Sequence, residues 1–166
     1  MPYPITLVDI AGAAIGVACV QSTLSDVRGS ACKLWRVGLP PLLSGFASIL
    51  LLARAVVSFQ HDAVWIVTAL LGILVGWWRG RRISVETDQV WGVVRVQPTT
   101  DSLIAALFVL AIMLLDGADD LFPPGTLPRH ANFAAASALC AGFLAGRAWS
   151  LIRRAMQAPH VEIEKH

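Results

Sequence analysis

Long apolar blocks separated by short polar ones set the layout of this 166-residue chain. The apolar runs cover residues 4–20, 39–59, 63–78, 102–115 and 131–152. A helix crosses the hydrocarbon core of a bilayer in about 20 residues, with a range of about 17–25. Each run therefore reads as one crossing, the third and fourth reaching full length by recruiting flanking residues. Pro40-Pro41 open the second run, where the first amides of a helix have no partners to lose. Gln60-His61-Asp62 reads as a tight connection, and residues 116–130, with Asp119, Asp120, Pro123-Pro124-Gly125 and Pro128, read as a loop.

Residues 83–97 change period. Ile83, Val85 and Thr87 alternate with Ser84, Glu86 and Asp88, and after a break at Thr87-Asp88-Gln89, Val94 and Val96 alternate with Arg95 and Gln97. A period of two rich in β-branched residues predicts a β-hairpin at the membrane surface. Pro98 ends it, and Thr99, Thr100 and Asp101 offer cap oxygens to the next helix. The fold class is an all-α membrane protein: a five-helix transmembrane bundle with a short cytoplasmic β-hairpin, residues 1–166 forming a single integral membrane domain.

Composition agrees. The chain is 56% hydrophobic and 14% charged, against about 25% charged for a soluble domain, and its mean hydropathy is +0.66. The net charge of +2 says less than where the charges fall. Five crossings with the N-terminus outside place residues 21–38, 79–101 and the C-terminal tail in the cytoplasm. Those segments hold nearly all the lysines and arginines. The outer segments, 60–62 and 116–130, hold Asp62, Asp116, Asp119 and Asp120 with Arg129 the only arginine. This meets the positive-inside rule at every turn and predicts a multi-pass membrane protein with its N-terminus outside and its C-terminus cytoplasmic. The first run lacks the basic start of a secretory signal, so an uncleaved helix is expected, and a lipoprotein site at Cys19 fits its lipobox only loosely.

At this point the residues carry a family resemblance. A basic loop ends in Trp35-Arg36, Leu39-Pro40-Pro41 open a helix, and Leu70-Leu71-Gly72-Ile73-Leu74-Val75-Gly76-Trp77-Trp78-Arg79-Gly80-Arg81-Arg82 close the next one. Val85-Glu86-Thr87-Asp88 and Val94-Arg95 follow. Over residues 35–115 the chain resembles the CcdC-like family of small bacterial membrane proteins. The resemblance implies a bacterial cytoplasmic (inner) membrane, the family's name implies a link to cytochrome c maturation, and no catalytic residues come with it.

The residues point to no catalytic centre, cofactor, metal site or nucleic-acid motif. Cys19, Cys32 and Cys140 form no C-x-x-C, so small buried hydrophobes are their expected role. A bis-histidine haem would need histidines inside the spans. The acids and histidines of the outer segments, His61, Asp62, Asp116, Asp119, Asp120 and His130, lack metal-ligand spacing and read as solvated loop residues.

Three sets of residues stand out. Gly12/Gly16, Gly72/Gly76 and Gly142/Gly146 each put small residues one helical turn apart, which lets helices approach closely in lipid. Trp77, Trp78, Arg79, Arg81, Arg82, Arg153 and Arg154 mark the inner interface and the cytoplasmic side; Trp149 belongs with them and Trp65 with the opposite face. Asp9 and Arg54 are ionisable residues inside apolar runs, each about 7–8 Å below the outer boundary. Their matched depth allows a pair. Either they form a polar site for an ion or small anionic ligand near the outer leaflet, or they are a structural pair. Arg147, near the inner end of the last helix, is expected to snorkel or to pair with Glu86 or Asp88.

Three functional readings follow: a non-enzymatic accessory or assembly component, partnered by the lipid bilayer and by another membrane protein; a small transporter or channel component using Asp9 and Arg54; and an accessory factor in cytochrome c maturation, implied by the resemblance alone. No oligomeric state is legible.

Overall fold

The computed structural model describes residues 7–54, 59–88, 91–118 and 130–158, without the side chains of 59–62. Five α-helices run α1 Leu7–Arg28, α2 Leu39–Arg54, α3 Phe59–Gly80, α4 Asp101–Gly117 and α5 His130–Gln157. A 3₁₀ turn, Leu34–Gly38, leads into α2. Three short strands, β1 Cys32–Lys33, β2 Val85–Asp88 and β3 Val93–Val96, complete the described residues.

Among the described residues, four segments are long and apolar enough to cross a membrane: Leu7–Arg28, Leu34–Arg54, Ala63–Gly80 and His130–Gln157. This makes the chain a multi-span helical membrane protein. α4, with 17 residues, is shorter than these four, so four of the five expected crossings are established by length.

The buried stripes explain the packing. In α1 the buried positions are Gly12, Gly16, Cys19 and Thr23, and in α2 they are Pro40, Ser44, Ala47, Ser48 and Leu51. Small residues face the protein, while Ile10, Leu42, Phe46, Leu70, Leu74 and Phe108 face outward. In lipid, apolar bulk gains nothing by turning inward, and close helix approach favours small residues at the contact. α5 is the central element, since α3, α2 and α4 all lean on it, and α1 packs against α4 and α2.

Two expected boundaries move. The segment 21–28, expected as a polar loop, continues α1. Its hydroxyls bond back within the helix, Ser22 Oγ to the Cys19 carbonyl at 2.7 Å and Thr23 Oγ1 to that of Val20 at 2.8 Å, so polar side chains need not leave the helix. Gln60-His61-Asp62, expected between helices, lies in the first turn of α3.

The expected hairpin is part of a three-stranded antiparallel sheet of order β1-β3-β2. Val85 pairs with Val96 and Thr87 with Val94 on one side, and Cys32 pairs with Val94 on the other. The added strand satisfies backbone groups that a lone hairpin would leave open along β3. Gly92, at φ +61°, supports the turn between β2 and β3. Val94, Val96 and Ile83 pack with Ala148, Leu151 and Ala155, so the sheet sits on the last turns of α5.

Candidate functional site

Two charged clusters lie at opposite ends of the helices. Both begin with acids on α1 and α4. Asp9 and Asp26 stand 17 positions apart on α1, and Asp101 and Asp116 stand 15 apart on α4. At 1.5 Å per residue these separations are about 25 and 22 Å.

At the end away from the sheet, Arg54 in the last turn of α2 holds two acids. Its Nη2 donates to Asp9 Oδ1 on α1, and its Nη1 donates to Asp116 Oδ2 on α4 at 2.9 Å. The other Asp116 oxygen lies 2.7 Å from His130 Nδ1, at the start of α5. Four helices thus meet on one charge cluster. The Asp116 side chain is 1% exposed, with Arg54 at 26% and Asp9 at 19%. A carboxylate removed from water to that degree needs charge and hydrogen-bond partners, and Arg54 and His130 supply them. The space enclosed by Asp9, Gly12, Leu51, Arg54, Met113 and Asp116 is about 10 Å³. That is about the volume of one water molecule's probe sphere.

The sequence brought Asp9 and Arg54 together by depth. Asp116 and His130 were expected as solvated outer residues, and the structure instead packs Asp116 between Arg54 and His130. The missed signal is that Asp116 directly follows the apolar run 102–115, so it could be placed at a helix end as readily as in a loop. Asp119 and Asp120 lie outside the described residues. Among the described residues no three acid, histidine or cysteine side chains are grouped to hold a metal ion. At this cluster the guanidinium occupies the place between the acids that a cation would need.

At the sheet end, Arg147 of α5 is 3% exposed. Its Nη1 donates to Asp26 Oδ2 at 2.7 Å and its Nη2 to Thr99 Oγ1 at 2.9 Å. Ser102 Oγ donates to the same Asp26 oxygen at 3.0 Å, and the Thr99 amide bonds the Asp26 carbonyl at 3.2 Å. Arg147 therefore pairs with Asp26, not with Glu86 or Asp88, and does not snorkel. The same network draws off the cap oxygens expected before α4. Thr100 makes no side-chain cap bond, Thr99 serves Arg147, and Asp101 accepts from Arg79 Nε at 2.6 Å.

The tryptophans and arginines expected at the inner interface stand at this end as well. Arg81 lies over the Trp77 ring at 4.7 Å and Arg82 over Trp78 at 3.8 Å, each one helical turn on. Arg154 Nη1 donates to the carbonyl of Arg81 at 2.9 Å and to that of Ile83, covering the carbonyl end of α3. Arg153 is exposed. Outside the spans, burial pushes the Cys32 thiol above its ordinary value of 9.0; Asp26 adds to the rise and Arg36 opposes it.

The glycines lie at the tightest contacts. A Cβ on Gly72 would strike the Leu139 carbonyl, on Gly76 that of Phe143, on Gly142 that of Ala69, and on Gly146 that of Ile73. Gly80, which the spacing argument passed over, extends the same line: a Cβ there would come within 3.0 Å of the Arg147 carbonyl oxygen. Gly12 and Gly16 face Met113 and Leu110 of α4.

Comparison of the chain with protein-family models, curated proteins and solved structures finds no match. The CcdC-like resemblance therefore rests on the quoted residues alone.

Proposed function

We propose that the chain is a five-crossing, non-enzymatic accessory or assembly protein of a bacterial inner membrane, with its N-terminus outside and its sheet and C-terminus in the cytoplasm. The fifth crossing is α4. Its Asp101 reaches Arg79 at the sheet end of α3, and its Asp116 reaches Arg54 at the far end of α2. The two ends of α4 thus lie level with the ends of helices that are long enough to cross, and 17 residues is the lower limit for a span. Orientation follows from the basic residues gathered at the sheet end: Arg28, Lys33, Arg36, Arg81, Arg82 and Arg153.

The observation that favours an accessory role is the closure of the outer cluster. Among the described residues, Arg54 bonds both Asp9 and Asp116 around about 10 Å³ of space, which is too small for a substrate. Meanwhile α3 keeps a broad apolar face, including Val67, Leu70, Leu71 and Leu74, turned away from the bundle. Crosslinking in membranes followed by purification in mild detergent tests the role. A defined membrane-protein partner crosslinked through α3 is expected; recovery of a lone monomer from every preparation sinks the reading. Cysteines placed at Ser30 and Gly117 test the topology, with only the second labelled from outside.

A transporter reading keeps one observation in its favour. His130, 42% exposed, contacts Asp116, which contacts Arg54 and through it Asp9, forming a polar chain that starts near the surface. Flux into liposomes that is unaffected by changing Asp9 or Arg54 rules it out. The cytochrome c reading has only the resemblance behind it, and normal cytochrome c in a deletion strain removes it.

A further inference from the structure

α3 and α4 both lean on α5 and leave a groove between them. The groove has a volume of about 400 Å³, and Gly72, Val75, Ile104, Phe108, Leu139 and Phe143 are among its lining residues. Val75, Ile104, Phe108 and Leu139 are each 43–60% exposed, so the groove opens sideways along the span. Water does not fill an apolar groove that faces hydrocarbon. At its sheet end the groove meets Trp78, Arg79 and Asp101.

Two features decide the occupant. The first is the ion pair between Arg79 and Asp101, at 2.6 Å, which ties α3 to α4 across the end of the groove. A helix is about 10–12 Å wide with its side chains, so none can lie along the groove and pass between residues held so close. A flexible hydrocarbon chain can end there. The second is charge. Asp101 offsets Arg79, and Arg82 remains beside it, exposed and stacked on Trp78. The end of the groove is therefore cationic, which complements a lipid phosphate.

We infer that this groove holds one acyl chain of an anionic phospholipid from the leaflet on the sheet side, with the phosphodiester against Arg79 and Arg82. The inference rests on embedding in a membrane and not on the accessory role. An arginine near the surface is worth about 1 kcal/mol toward anionic lipid, which corresponds to about a fivefold preference.

Native mass spectrometry of the detergent-purified full chain tests this, with phosphatidylglycerol and phosphatidylcholine of identical chains as probes. One retained lipid per protein is expected, with phosphatidylglycerol favoured about fivefold. Val75→Trp and Ile104→Trp fill the groove from opposite walls at exposed positions, and each should remove the retained lipid of both kinds. Arg82→Gln should keep one lipid and lose the preference. Either tryptophan variant that folds suffices for the first arm. Retention unchanged in a folded tryptophan variant, an unchanged preference in Arg82→Gln, or a protein dimer in place of the lipid adduct overturns the assignment.

Discussion

Arg147 Nη1 donates to Asp26 Oδ2 at 2.7 Å, joining α5 to α1 across 121 positions of sequence. The side chains are 4% and 12% exposed, so each charge depends on the other. Removing one partner of a buried pair costs about 3–5 kcal/mol, whereas replacing both by apolar residues is often close to neutral. Arg147→Leu and Asp26→Leu are each expected to lower stability by about 3–5 kcal/mol, and the double variant by clearly less than their sum. Unfolding in mixed micelles, read as a double-mutant cycle, measures the coupling. Additive losses would mean that the pair does not hold these helices together.

That pair also shows where sequence reading reached and stopped. Asp9 and Arg54 could be matched because each interrupts an apolar run, so a depth could be assigned to both. Asp26 could not, because it lies in Gln21–Arg28, where no apolar period marks a helix. What makes those residues helical is their partners: hydroxyls bonded to carbonyls one turn back, and an arginine from the far end of the chain. β1 was equally hidden, since two residues cannot display an alternation, and Cys32 and Lys33 become a strand only through Val93 and Val94. The glycine pairs were legible as close-approach positions, but their pairing of α3 with α5 needed coordinates. The length of α4 sat at the margin from the start.

The helix contacts predict unequal glycine tolerance. A methyl group on Gly76 meets the Phe143 carbonyl carbon at 2.8 Å and the Arg147 amide nitrogen at 2.9 Å, both backbone. A methyl group on Gly12 meets the flexible Met113 sulfur at 3.1 Å. Backbone cannot move aside without separating α3 from α5, while a methionine can change rotamer. Gly76→Ala should therefore cost about 1–3 kcal/mol, and Gly12→Ala less than about 1 kcal/mol. Thermal unfolding in detergent ranks the two, and equal shifts would contradict the packing.

Cys32 lies between the first two spans, and its thiol is raised above 9.0 by burial first, with Asp26 adding and Arg36 opposing. Alkylation needs the thiolate. Labelling of Cys32, with Cys19 and Cys140 replaced by serine or alanine, should therefore start at higher pH in the folded protein than in the unfolded chain. Arg36→Gln should move the midpoint further up. The sign for stability follows, because a folded value above the unfolded one stabilises fully below the unfolded value and less as pH rises through the folded one. Stability should thus decline above about pH 9, and replacing Cys32 by alanine should remove that part of the decline.

Arg54 separates a structural cluster from a working one. Replacing it with leucine leaves Asp9 and Asp116 facing each other without the guanidinium, and Asp116 is 1% exposed. Two neighbouring carboxylates in such a place, without the cation between them, repel each other and push α1 and α4 apart. Arg54→Leu is expected to lose about 3–5 kcal/mol, and adding Asp116→Asn should recover a good part of it by removing the stranded charge. Asp9→Asn, which keeps a hydrogen-bond acceptor for Arg54, should be milder than either. Liposome flux measured on the same variants divides the readings: a structural cluster gives losses that follow stability alone. Asp9→Asn that stays folded yet abolishes a flux seen in the unaltered protein would instead make the cluster the working site, and the accessory reading would fall.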